Sequence, residues 1–126
     1  QVFAAAFSPR PGTPAARLPD DVAAAEKRRR LNELLALQEG IGLERNRTWV
    51  GRTVEVLVEG VQAPRAHDHD GAVAPRPTGP QLTGRNRENR LVHFTGFEAP
   101  EALVGLFVSV AIERVGPYAL VGRLAG

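Results

Sequence analysis

The sequence predicts a mainly β protein with one N-terminal helix, in which five antiparallel strands form a small barrel from about Thr48 to the C-terminus. Two observations predict this. After Arg47, apolar residues recur at every second position in short segments, which is typical of half-buried strands, whereas the segment before Arg47 has helical spacing. Tight turns separate these short strands, which favours closure into a barrel.

The helix is predicted over residues 20–47, as a connection to the barrel. Asp20 and Asp21 offer an N-cap and a favourable charge at its start. Its apolar residues form one stripe, at Leu31, Leu34, Leu35 and Ile41. Two glycines, at 40 and 42, each weaken a helix by about 1 kcal/mol relative to alanine, so a bend or an early end near them is the alternative to one continuous helix.

The barrel, over residues 48–126, is expected to hold five strands. The first alternates valines with polar residues over residues 50–59 and ends at Gly60. The others are expected over residues 81–84, 91–94, 106–113 and 118–124. Residues 61–80 are rich in proline and glycine, which predicts a long mobile loop between the first two strands.

The first 19 residues have a different character. Residues 2–7 are apolar and predict a short buried strand, and residues 8–14 contain three prolines, which exclude both helix and sheet. We interpret residues 1–19 as the remnant of a strand from a preceding barrel, followed by a proline-rich linker. Because position 1 is glutamine and not methionine, we expect a fragment of a longer protein.

Composition excludes several classes of protein. The chain has no cysteine, which excludes disulfides and thiolate metal sites. No apolar run approaches the ~20 residues that cross a bilayer, and no secretory signal is present, so we expect a cytoplasmic protein without a membrane partner. The net charge of +2 is too small to indicate nucleic acid by itself, but Lys27 is the only lysine among sixteen basic residues. Arginine suits phosphate and base contacts, although codon bias also explains its excess.

The candidate binding site is the arginine-rich segment 84–90, just before the strand at 91–94. Arginines here can neutralise phosphate and stack on bases, and asparagine can hydrogen-bond base edges. The candidate RNA-binding residues are Arg85, Arg87, Asn89 and Arg90. Arg52 extends this set, and Arg114 and Arg123 are further basic residues beside strands. The alternative interpretation is a solvated polar hairpin without a ligand.

Other motifs carry less chemistry. Phe94 is predicted in the core, and Trp49 where helix and barrel meet, whereas Phe107 is either a stacking platform or a cover for the far side of the sheet. The segment 67–70 has two histidines and two aspartates, but a flexible setting makes a metal site doubtful. No nucleophile motif or phosphate-binding loop is present, so we expect neither catalytic residues nor a bound metal or cofactor in this chain.

Five segments resemble, in order, the C-terminal part of radical S-adenosylmethionine methylthiotransferases. Residues 7–16 resemble the end of the radical S-adenosylmethionine domain, called the radical domain below, and Leu34-Leu35-Ala36-Leu37-Gln38 resembles part of the connecting helix. The other three segments resemble parts of the RNA-binding TRAM domain: 50–60, 84–94 and 118–122. The resemblance implies that the barrel is an OB-like TRAM domain. It also implies that Arg85, Asn89 and Arg90 contact RNA, because they match the family's positions.

The resemblance further implies what the parent protein does. Its tRNA-acting members add a methylthio group to isopentenyladenosine beside the anticodon, using iron–sulfur clusters and S-adenosylmethionine. The implied partners are therefore the tRNA anticodon stem-loop and the missing radical domain of the same protein. This chain would not itself be catalytic, since the cluster-binding cysteines are absent.

Four alternatives stay open at the level of sequence. One is the relative that acts on threonylcarbamoyladenosine in tRNA, and another is the relative that modifies a ribosomal protein, which Arg10-Pro11 disfavours. The third is a purely structural lid or dimerisation module. The last is a free-standing barrel that binds single-stranded RNA, which would leave residues 2–14 unexplained.

Overall fold

The computed structural model describes residues 2–62 and 80–126. The chain divides by its packing into two compact units, Gln1–Gly42 and Leu43–Gly126. The boundary lies inside the main helix, so the first unit holds most of that helix and the second holds its last turn and all the strands. The predicted three-part division at residues 19 and 47 stays a prediction.

The first unit consists of an extended segment, a short 3₁₀ turn at Pro14–Arg17 and most of helix α1, Ala24–Arg47. Thr13 precedes the turn, and its hydroxyl donates to the carbonyl of Arg10 at 2.7 Å. Helix α1 is predominantly polar, and Asn46 is its only buried residue in the structure as described. Among the residues that the structure describes, the apolar stripe of α1 is not fully buried, since Leu34 and Ile41 are exposed and Leu31 and Leu35 are half-buried.

The second unit is a closed barrel of five strands. The strands are β1 (Thr53–Gln62), β2 (Gln81–Asn86), β3 (Leu91–Thr95), β4 (Phe107–Val115) and β5 (Ala119–Leu124). A short helix, α2 (Pro100–Leu103), lies between β3 and β4. The order around the barrel is β1-β2-β3-β5-β4, with β4 returning to pair with β1.

The barrel core is built from the inward-facing side of every strand. Alternating residues point inward because successive side chains of a strand lie on opposite faces. The buried apolar side chains are Val56, Val58, Leu82, Val92, Phe94, Val110, Ile112 and Leu120. Two inward positions are glycine, because a Cβ at Gly84 would lie 2.1 Å from the carbonyl oxygen of Leu57, and one at Gly122 would lie equally close to that of Ala111.

The prediction of a mainly β chain with one main helix and a five-stranded barrel is confirmed. The pairing is not antiparallel throughout, because β3 and β5 run parallel, with Val92 opposite Leu120. Two consecutive strands that are joined by a short turn run antiparallel. β3 and β5 are not consecutive, because the 23 residues between them include β4, which pairs antiparallel with the other edge of β5. The alternation of apolar and polar residues does not indicate whether two neighbouring strands run parallel or antiparallel.

Several local predictions are wrong. Residues 2–7 form no strand, and Val2, Phe3 and Phe7 are exposed, because no neighbouring strand in the described chain satisfies their backbone. Helix α1 begins at Ala24, four residues later than predicted, although it continues past its glycines to Arg47, as its spacing predicts. Strand β1 starts at Thr53 and passes Gly60, where a bulge after Val58 shifts the register.

The predicted loop over residues 61–80 falls mainly outside the described residues, as does the histidine- and aspartate-containing segment 67–70. Val61 and Gln62 belong to β1, so the prediction of a loop is wrong for these two residues.

Candidate nucleic-acid interface

The candidate residues lie around the hairpin that joins β2 to β3. Its loop has three residues, 87–89, because the Asn86 amide donates to the Arg90 carbonyl at 3.1 Å while the Asn89 amide donates to the Asn86 carbonyl at 3.0 Å. The buried Asn86 side chain strengthens this loop, since its Oδ1 accepts from the Arg90 amide at 2.9 Å. The hairpin therefore holds its arginines on a fixed backbone.

Asn89 has a backbone reason for its identity. Its φ angle is +59°, in the left-handed region that closes a three-residue hairpin loop, and asparagine tolerates this region better than other residues apart from glycine. Its side chain is exposed, and its carbonyl accepts from Arg85 Nη1 at 3.2 Å. The turn alone thus accounts for asparagine at this position, whether or not RNA contacts it.

Arg85 and Arg87 lie on the outer face and pair with glutamates of β1. Arg87 Nη2 lies 2.8 Å and its Nε 3.1 Å from Glu55 Oε1, and Arg85 Nε lies 3.5 Å from Glu59 Oε1. The Arg87 side chain is 79% exposed and that of Arg85 43%. Both guanidinium groups remain open to solvent, and such exposed ion pairs are weak enough to exchange partners.

Arg90 points into the protein. Its Nη1 donates to Oδ1 of Asn46, a residue of α1 that is only 2% exposed. Asn46 Nδ2 in turn donates to the carbonyls of Gly116 at 2.8 Å and Pro117 at 3.3 Å. This network joins the last turn of α1 to the start of β3 and to the β4–β5 turn, which gives Arg90 a structural role.

Arg52 is the remaining residue of the predicted set, and it lies beside Trp49. The guanidinium carbon of Arg52 lies 5.5 Å from the Trp49 ring centroid, and that of Arg90 lies 5.9 Å from it. Trp49 packs against the barrel core, as predicted for the place where helix and barrel meet. Arg52 is exposed, so its outer surface remains available for a ligand.

The outer face also carries an exposed aromatic ring. Strand register places Leu57 opposite Arg85 on one side and opposite Phe107 on the other. Phe107 is 66% exposed on this face, and its two interpretations, a stacking platform or a cover for the far side of the sheet, stay predictions. We name the outward side chains Arg85, Leu57 and Phe107 the outer row.

The structure therefore divides the predicted residues. Arg85 and Arg87 share the outer face of β1 and β2, Arg52 lies beside Trp49, and Arg90 is turned inward. Sequence reasoning missed Asn46, because its partners are 44 and more residues away. A polar residue in the last helical turn was the only local signal.

Two further basic residues lie away from the hairpin. Arg123 is exposed on β5, with its Nε 3.7 Å from Glu113 Oε1, and Arg114 is exposed at the bulge of β4. In the first unit, a groove with a volume of about 340 Å³ lies between residues 4–7 and the start of α1. None of the candidate RNA-binding residues lines it.

Two classes of feature are absent from the part of the chain that the structure describes. Residues 2–62 and 80–126 hold no group of three histidine, aspartate or glutamate side chains placed to bind a metal ion. Within the same residues, neither helix combines the length and the apolar character that crossing a bilayer requires.

Comparison with known proteins identifies relatives of this chain. No protein-family model matches it. The tRNA-2-methylthio-N(6)-dimethylallyladenosine synthase of Magnetococcus marinus is 45% identical over 118 residues, which are 94% of this chain and 23% of that relative. The enzyme of the same name from Sulfurihydrogenibium sp. is 39% identical over 126 residues, 100% of this chain and 25% of the relative.

A third relative with this name, from Acidothermus cellulolyticus, is 41% identical over 120 residues, 94% of this chain and 21% of the relative. The chain thus spans about a quarter of the length of the curated relatives it matches. The resemblance seen in the sequence is confirmed: over nearly its whole length, this chain is related to the tRNA-2-methylthio-N(6)-dimethylallyladenosine synthases.

Proposed function

We propose that this chain is an RNA-binding module of a larger tRNA-modifying protein, and that its barrel is a TRAM domain that binds the tRNA anticodon stem-loop. The observation that carries the proposal is the pair of solvent-open guanidinium groups, Arg85 and Arg87, on one face of a rigid hairpin. Guanidinium groups in this setting bind phosphate in a forked geometry. The names of the relatives supply tRNA as the substrate.

The charges of this face set the mode of binding. On the outer face, Arg85 and Arg87 are matched by Glu59 and Glu55, so these four side chains together carry no net charge. Phosphate therefore has to replace the glutamates as the partner of Arg85 and Arg87. Because the exposed pairs contribute only about 0.2–1 kcal/mol each, this exchange costs little, but it predicts modest affinity with clear salt dependence.

The activity of the whole protein is proposed to be methylthio transfer to dimethylallyladenosine in tRNA, by analogy with the relatives. Such enzymes resemble radical S-adenosylmethionine proteins with iron–sulfur clusters. The residues of this chain do not fit those groups, because it has no cysteine and its described part has no metal-binding cluster. We therefore assign the chemistry to the part of the longer protein that this chain does not span, and derive no step here.

The test is a titration of this chain against a labelled anticodon stem-loop at several salt concentrations, with a duplex of equal length as control. We expect tighter binding to the stem-loop, weakening steeply with salt. Arg85→Ala and Arg87→Ala should each weaken binding and shallow the logarithmic salt slope by about 0.7–0.9 per lost phosphate contact. Arg123→Ala, a change of the same charge on β5, is the matched control.

The possible results separate the proposals. Unchanged affinity in both hairpin variants would remove the site assignment, whereas no binding of either RNA at low salt would favour a structural module. A stem-loop carrying threonylcarbamoyladenosine in place of dimethylallyladenosine distinguishes the two tRNA-acting classes. The names of the relatives favour dimethylallyladenosine.

A further inference from the structure

We propose that Phe107 is a stacking platform for an unpaired RNA base, next to the arginines that hold the neighbouring phosphates. The inference rests on the proposed RNA-binding function and adds to it a residue and the part of the RNA that this residue contacts, an unpaired base of the loop. Phe107 matches none of the positions that the family resemblance marks, and its place in the site follows from strand register alone.

The register of the strands places the Phe107 ring in line with Arg85. Phe107 begins β4 and pairs with Leu57 of β1, which pairs on its other side with Arg85 of β2. Val56 and Val58, on either side of Leu57, are buried, and so are Gly84 and Asn86, on either side of Arg85. On β4, Val110 is buried on the face opposite to Phe107, so all three members of the outer row point away from the core. Aromatic ring, aliphatic side chain and guanidinium therefore stand in one line across three adjacent strands.

The Phe107 ring is exposed to solvent on a backbone that hydrogen bonds hold in place. Phe107 is 66% and Leu57 38% exposed, although both are apolar. The backbone just before Phe107 is fixed, because the Gly105 amide donates to the Val58 carbonyl at 2.8 Å and the Val58 amide donates to the Leu106 carbonyl at 3.0 Å. The ring is thus presented to solvent from an ordered strand, as a stacking platform requires.

The distance between Arg85 and Phe107 across β1 suits a nucleotide. Neighbouring strands lie about 4.8 Å apart, so the backbones at Arg85 and Phe107 are roughly 10 Å apart across β1. A long arginine side chain on one side of Leu57 and a flat ring on the other span the distance between a nucleotide's phosphate and its base. Single-strand binding sites combine these two elements, a cationic track and aromatic faces on which bases stack.

The exposed carboxylates beside Leu57 favour RNA over a protein as the partner of the outer row. Glu55 and Glu59 flank Leu57 on the outer side of β1, and both are exposed. A protein docked over the outer row would cover these carboxylates, and burial of charged groups is costly. A base stacked on Phe107 covers only the ring and Leu57, and leaves both carboxylates in water.

The experiment uses the complete chain and an RNA stem-loop with 2-aminopurine at one loop position, moved through the loop in separate probes. Stacking on a ring changes the fluorescence of this base, and affinity is measured in the same titration. The variants are Phe107→Leu, which keeps an apolar side chain, and Phe107→Tyr, which keeps the aromatic face. Phe3→Leu is the matched control, an equally conservative change of a phenylalanine that is 89% exposed in the other unit.

We expect Phe107→Leu to weaken stem-loop binding about 5-fold or more and to abolish the fluorescence change at one loop position, since a stacked base contributes on the order of 1–3 kcal/mol. The salt slope should not change, because no phosphate contact is lost. Phe107→Tyr and Phe3→Leu should bind like the parent chain, and unchanged thermal unfolding would show that the variants are folded.

The contrary results are distinct. If the parent chain and Phe107→Leu bind the stem-loop equally and give the same fluorescence change, the stacking role is wrong while RNA binding stands. If Phe107→Leu instead alters self-association without altering RNA binding, the ring belongs to a protein interface and the proposal is overturned. If the parent chain binds no RNA at low salt, the proposed function fails and the stacking role fails with it.

Discussion

At the scale of single residues, the outer face combines arginines with glutamates that compete for them. Glu55 accepts two hydrogen bonds from Arg87, through Nη2 at 2.8 Å and Nε at 3.1 Å. If phosphate has to displace this carboxylate, the pair opposes RNA binding by its own free energy. The glutamates of β1 then tune affinity downward, and their removal should strengthen binding.

Glu55→Gln should therefore increase the affinity for the anticodon stem-loop by roughly 1.5- to 5-fold, the range that corresponds to a surface pair of 0.2–1 kcal/mol. The effect should fade as salt rises. Titration of both chains at low and high salt measures it. Glu113→Gln, which removes the partner of Arg123 on the β4–β5 side, is the control, and an equal gain there would mean only a general change in net charge.

Glu26 in α1 gives a residue-scale prediction about pH. Hydrogen bonds from Arg29, and next from Arg30, lower its pKa from 4.5 to about 2. Between these pH values the unfolded chain binds a proton that the folded chain does not. The free energy of unfolding therefore gains a contribution that is complete above pH 4.5 and disappears as pH falls towards 2.

Glu26→Gln should flatten this part of the pH dependence of helix stability. The helical circular dichroism signal during urea unfolding, measured from pH 5 to pH 2, tests this expectation. High salt should reduce the difference from the parent chain, because the ion pairs with Arg29 and Arg30 are at the surface. Glu44→Gln, at another exposed position of α1, is the control, and identical pH profiles for Glu26→Gln and the parent chain would contradict the argument.

At the scale of elements, Arg90 and Asn46 join α1 to two places in the barrel. Arg90→Ala should lower the free energy of unfolding of the barrel unit by about 1–3 kcal/mol, because the buried Asn46 amide oxygen loses its donor. Urea unfolding provides the measurement. Arg85→Ala, at an exposed position two strand spacings from Phe107, should cost little, and equal losses in both variants would remove the structural distinction between these arginines.

The contact between β1 and β2 depends on a glycine. A Cβ at Gly84 would lie 2.1 Å from the Leu57 carbonyl oxygen and 2.7 Å from Val56 Cγ1, so β1 and β2 have to separate to admit it. Gly84→Ala should therefore destabilise the barrel by about 1–3 kcal/mol or more. In Gly60→Ala, by contrast, the new Cβ meets nothing within 4 Å. Thermal unfolding of the two variants should differ clearly, and similar midpoints would contradict the close approach.

At the scale of the whole molecule, closure of the barrel leaves no strand of the described sheet at an edge, because β4 pairs with both β1 and β5. Amide hydrogens in all five strands should therefore exchange slowly and with similar protection, while those of residues 2–13, which have no regular structure, exchange quickly. Hydrogen exchange resolved by residue tests this. Fast exchange along one entire strand, such as β3 at its parallel pairing with β5, would mean that the barrel is open.

Local chemistry made much of the fold predictable. The alternation of valines with polar residues predicted β1, because a strand buries every second side chain, and the asparagine- and arginine-rich segment 84–90 marked the hairpin. Bulges were not predictable, since the shifts after Val58 and Ile112 depend on the partner strand. The prediction of a strand over residues 2–7 was wrong for the same reason: a strand needs a partner strand, and none of the described residues pairs with this segment.

The amino-acid sequence is enough to predict the class of this protein: a helix, a five-stranded barrel, an arginine-rich hairpin and a relationship to tRNA-modifying enzymes. These follow from local periodicity and from ordered motifs. The inward turn of Arg90 to Asn46 depends on tertiary packing, and so does the row that Arg85 shares with Leu57 and Phe107. Such neighbours are set by register between strands far apart in the chain, where a shift of one residue would move each side chain to the opposite face.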